Sequence, residues 1–144
     1  MRRRRTKARL ALACCLALLA GCGGATTNAP APGPDQVMAE LSAFTDELAR
    51  KVEGAQDPAA GVAEAQTLLD SRKAALAAGI KSMKASPRFR EDQEARRRWL
   101  EAEVDNTTRV SGLKARLIEP AMRDPSLGPR LDRLVEGYQE LFKD

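Results

Sequence analysis

The sequence predicts an all-α fold, an antiparallel up-down bundle of four helices behind an N-terminal tether. Three observations carry this prediction. From Asp35 onward apolar residues recur at helical spacing, with no strand-like alternation. Asp57-Pro58, Ser86-Pro87 and Asp124-Pro125 each place a side-chain acceptor at an N-cap ahead of a proline, whose missing N–H costs nothing at the first helical position. The segments between the periodic stretches are only a few residues long, which favours antiparallel neighbours.

In the first helix Val37, Leu41, Phe44, Leu48 and Val52 define one face, and Gly54 is placed to close it. Val62, Ala65, Leu69, Leu76, Ile80 and Met83 mark the seam of a second, whose Ala74–Gly79 stretch has little bulk and predicts a close helix approach. A third helix is predicted from Pro87 to Ile118, ended by Pro120. Its core row would be Leu100, Val104, Thr107, Ser111 and Ile118, with Val110, Leu113 and Leu117 beside it. The fourth carries Leu127, Leu131, Leu134, Val135, Tyr138, Leu141 and Phe142, with Pro129 delaying its start to Ser126 or Gly128. Residues 35–144 hold 28 large apolar side chains, enough for one modest core and too few for two.

Charge and composition exclude several functions. The 144 residues contain 24 Lys and Arg against 20 Asp and Glu, but six of the basic residues fall within the first 21, which hold no acid. The remainder carries 18 basic and 20 acidic residues and has no electrostatic reason to hold nucleic acid. No histidine is present, so His-dependent nucleophiles, proton shuttles and His-ligated metals are unavailable. Glu101, Glu103 and Asp105 are spread around a helix by their spacing of two, so no metal site is predicted. Met38, Met83 and Met122 read as core filler rather than haem ligands. The expectation is a protein without cofactor, metal or catalytic residues.

The N-terminus has the anatomy of a signal peptide: a basic stretch, Met1–Arg9, then an uncharged apolar run, Leu10–Ala20. Those eleven residues would span only ~16 Å as a helix, against a hydrocarbon core of ~30 Å. Leu19-Ala20-Gly21-Cys22 resembles the lipobox of bacterial lipoproteins at all four positions. The resemblance covers residues 1–22 and implies that Leu19, Ala20 and Gly21 are read by the signal peptidase. It further implies that Cys22 becomes the acylated first residue of the mature chain. Cys14 and Cys15 would leave with the signal, so no disulfide could form afterwards. Lys7 and Ala8 stand where a twin-arginine signal carries bulky apolar residues, which favours general secretion. Gly23, rather than Asp, follows the cysteine, and by the enteric rule this implies the outer membrane, with the domain facing the periplasm.

The chain thus divides into a signal at 1–21, an acylated cysteine and tether at 22–34, and a bundle at 35–144. The uncharged tether GGATTNAPAPGP would reach up to ~35 Å at ~3.1 Å per residue. Within the bundle Arg96, Arg97, Arg98 and Trp99, with Arg88 and Arg90 upstream, make the most basic patch and the candidate interaction face. Asn106 falls near a helix seam, where one buried polar contact would set register. The expected function is a membrane-anchored envelope lipoprotein whose bundle acts as a protein-interaction or structural module. A holdase-like or inhibitory module is the alternative. The expected partners are the membrane, through the lipid, and an envelope protein.

Overall fold

The computed structural model describes residues 32–143, which are helical throughout apart from short connections, with no strand among them. The helices are α1 (Pro34–Glu53), α2 (Pro58–Ala85), α3 (Pro87–Glu91), α4 (Gln93–Arg116), α5 (Ile118–Arg123) and α6 (Leu127–Gln139), which runs into a last tight turn, Glu140–Phe142. The all-α class is as the sequence predicts. Gly54 closes α1 by donating its N–H to the Arg50 carbonyl, and Asp57 caps α2 by accepting from Ala59 N.

The predicted third helix is three. Ser86 caps α3, and the five residues of α3 end at Asp92, which turns extended and caps α4 by accepting from Ala95 N. Leu117 breaks the chain again, and Pro120 sits in the first turn of α5, where no intrahelical donor is required, instead of ending a helix. Asp124 does not cap α6: its carboxylate accepts from Ser126 N in a turn, and α6 starts at Leu127, between the two positions to which Pro129 was expected to delay it.

The long helices alternate in direction, and ion pairs fix how they sit. Lys51–Glu64 and Arg72–Glu47 link α1 and α2 as antiparallel neighbours, and Lys114–Asp132 with the Trp99–Phe142 ring contact does the same for α4 and α6. Between α1 and α4 the pairs are Asp35–Arg98, Asp46–Arg109 and Glu53–Arg116, each separated by 63 residues in sequence. A constant separation means that these two helices run parallel in fixed register. Lys73–Glu140, together with Leu69 against Gly137, makes α2 and α6 parallel too. The fold is therefore two antiparallel hairpins, α1/α2 and α4/α6, laid side by side, with α3 carrying the chain across the diagonal.

One core fills the space between the hairpins. It takes the whole predicted rows of α1 and α2, and from α6 Leu127, Leu131, Leu134, Val135 and Tyr138, followed by Leu141. The α4 row is the exception: the buried residues are Ala95, Trp99, Asn106, Val110 and Leu113. The close approach is also elsewhere. A Cβ on Gly79 would meet nothing within 4 Å, whereas one on Gly61 would lie 2.6 Å from the Ala55 Cβ and 2.7 Å from the Lys51 carbonyl oxygen.

Across the diagonal Tyr138 stacks on Phe44, with ring centroids 6.3 Å apart, and its hydroxyl shares a hydrogen bond with Thr45, which also donates to the Leu41 carbonyl. Burial pushes the Tyr138 hydroxyl up to about 12, partly offset by Thr45. An unfolded tyrosine ionises near ~10, so the neutral-ring contribution is complete below that pH and is lost as pH rises to about 12, a decline of about 3 kcal/mol. Tyr138→Phe should cost about 1 kcal/mol at neutral pH, since Thr45 keeps its backbone partner. The variant should then decline less steeply between about pH 10 and pH 12, approaching or overtaking the parent in urea melts. Parallel declines would rule out this account.

Candidate interaction face

The four residues of the predicted face have different surroundings. Trp99 is 2% exposed and packs in the core with its ring 6.1 Å from that of Phe142, so it cannot serve as a surface anchor. Its place one residue after three arginines put it beside the patch in sequence, but a helix turns by about a quarter revolution per residue, and that step carries it inward. Arg97 is exposed and spans two carboxylates on its own helix, bonding Glu94 through Nε at 3.0 Å and Glu101 at 2.8 Å. The hydrogen bond from Arg97 holds the Glu94 carboxyl below its usual range, and the same bond raises the guanidinium. Arg98 reaches Asp35 on α1 at 3.2 Å, and Arg96 donates to the Arg90 carbonyl. Arg97 and Arg98 are thus engaged within the fold.

Other sequence candidates separate in the same way. Among the described residues no group of three His, Cys, Asp or Glu side chains is placed to hold a metal. Met83 is buried and Met38 half-buried near the start of α1, whereas Met122 is exposed at the other end of the bundle, so the three do not converge. Asn106 is buried at the α1/α4 seam, its amide donating to the Ala102 carbonyl at 2.7 Å and the Ser42 hydroxyl at 3.3 Å. Leu19, Ala20, Gly21 and Cys22 lie outside the described residues. No described helix is long and apolar enough to cross a membrane.

The surface feature that sequence reasoning misplaced lies on α4 and α5. Leu100, Val104 and Ile118, assigned there to the core, are 60%, 62% and 59% exposed, and Met122 on α5 is 79% exposed. Leu100 and Val104 share with Thr107 and Ser111 an uncharged row on the side of α4 turned away from α1, and Ile118 and Met122 follow on α5, beyond the break at Leu117. A row of this kind is suited to helix packing, with small residues at its centre and larger apolar ones at either end. Comparison of the chain with protein-family models, with characterised proteins and with solved structures finds no match.

Proposed function

We propose that this is a membrane-anchored bacterial envelope lipoprotein whose helical bundle works by contact with another envelope protein. The anchor half of the reading rests on Leu19-Ala20-Gly21-Cys22. The observation that carries the contact half is the exposure of four large apolar side chains, Leu100 and Val104 on α4 and Ile118 and Met122 on α5. The row stands on the convex surface of a helix. That shape fits a helix or flat surface laid against it, and supports the interaction module over a holdase, which needs a concave apolar groove.

One experiment in cells tests both halves. A photo-crosslinking residue at Leu100 or Val104 should give one discrete adduct, while the same probe at Thr67 or Ala75, exposed on α2, gives none. Metabolic labelling with a fatty-acid analogue should mark the parent and not Cys22→Ser. A labelled Cys22→Ser refutes the anchor, and adducts of equal yield at all four positions refute the contact row.

A further inference from the structure

The uncharged row on α4 continues to Ala115, and its two halves differ in bulk. Leu100 and Val104, 60% and 62% exposed, make the N-terminal half, whereas Thr107, Ser111 and the exposed Ala115 make the rest. Charge changes sign along the same stretch. Between Leu100 and Ile118 the acids Glu101, Glu103 and Asp105 come first, and the bases Arg109, Lys114 and Arg116 follow. Arg109 and Arg116 are bonded to Asp46 and Glu53 on α1, and Lys114 to Asp132 on α6. Glu103 precedes Lys114 by 11 residues, about three helical turns, so both border the row on its α6 side. Glu103 has no cationic partner among the described residues.

We infer that the envelope protein met by this row is a second copy of the chain, with α4 packed antiparallel on α4 about a two-fold axis between Thr107 and Ser111. The inference rests on the contact reading above and names its partner. In such a pair Thr107 of each copy faces Ser111 of the other, Val104 lies against the small Ser111 and Ala115, and Leu100 reaches the junction of α4 with α5. Large side chains thus meet small ones on both sides of the axis, which lets the helices approach closely. Glu103 comes within about one residue of Lys114 of the other copy, twice over by symmetry, and gains the cation it lacks within its own fold. A parallel pair would set Glu103 against Glu103 and Val104 against Val104. A surface whose second half complements its first is what an isologous contact requires. A contact one helix wide is small beside the ~1,200 Å² of a free-standing interface. The proposed anchor makes it sufficient, because copies held in one membrane meet at an effective concentration that copies in solution lack.

Two differently tagged forms of the full chain, made together in cells, test the pair. A photo-crosslinking residue at Val104 should give an adduct of two chains that carries both tags. An adduct with a different protein keeps the row as a contact and overturns the second copy, whereas no adduct overturns both. A short thiol crosslinker reads the direction, with the unsubstituted chain as the baseline for its own cysteines. Val104→Cys in one form and Ala115→Cys in the other should couple about fivefold or more over Val104→Cys in both, since antiparallel packing leaves the two Val104 positions ~15 Å apart along the helix. Equal or reversed yields overturn the antiparallel arrangement. Charge reversal reads the register. Glu103→Lys in both forms, or Lys114→Glu in both, should lower the two-tag adduct about threefold or more, and one form of each should restore it, because every such pair is then of opposite sign. Restoration also shows that neither variant has unfolded. Equal yields in the three pairings, or a loss that the mixed pairing does not restore, overturn the inference.

Discussion

Trp99→Ala should destabilise the bundle by about 3–5 kcal/mol, the range for truncating a large aromatic in a packed core. The ring is 2% exposed, closes the core against Phe142 and lies on the α4 row that includes Val110 and Leu113. Removing it leaves a cavity where α4 meets the C-terminal turn, and neither neighbour can collapse into the gap without breaking helix hydrogen bonds. Denaturant melts of the parent, Trp99→Phe and Trp99→Ala should rank in that order. A loss below about 0.5 kcal/mol for the alanine variant would return Trp99 to the surface. The expected result also governs how binding data are read, because a Trp99 variant that captures less partner has unfolded and not lost a contact.

A second large effect is expected at Gly61, where the first turn of α2 presses on the last turn of α1. A Cβ there would stand 2.7 Å from the Lys51 carbonyl oxygen and 3.3 Å from that of Val52. Those obstacles are backbone atoms, so relief requires the helices to move apart and strips contact from Val52 and Val62, both buried beside the site. Gly61→Ala should cost about 1–3 kcal/mol and Gly61→Val more. Gly79→Ala is the matched control. Open space surrounds that position, and helix propensity alone should stabilise the protein by about 0.5–1 kcal/mol. Thermal melts with shifts of the same sign at both sites would exclude the close approach.

How much of this was legible in the sequence depended on whether a pattern was unique. The α1 row is flanked by charge on its other faces and the α2 row by mostly small side chains, so charge in the one and bulk in the other made the phase readable, and every residue assigned to them is buried. On α4 two rows share one period. Leu100, Thr107, Ser111 and Ile118 each follow an inward residue, Trp99, Asn106, Val110 or Leu117, so spacing alone fits both rows about equally. What separates them is bulk: the inner row has the tryptophan and more large apolar residues, while the outer is thinned by Thr107 and Ser111. The break at Asp92 had little signature, because an aspartate able to cap a helix is not distinctive within a run of charged residues. That α1 and α4, parallel in any up-down bundle, are also neighbours had no local signature, because it is set by packing between segments far apart in sequence and shows only in Asp35, Asp46 and Glu53 meeting arginines 63 residues away.

That seating has a consequence for assembly. Two hairpins related by a sideways step form the first two courses of a stack, and such a stack has two outer walls. The wall beyond α1 is built from Gln36, Glu40, Ala43, Glu47 and Arg50, a polar finish that ends the series. The wall beyond α4 is the apolar row, which offers an incoming helix the same side that α1 covers on the other flank of the hairpin. Under the proposed contact, addition is one-directional: a partner seats past α4 and finds nothing equivalent past α1.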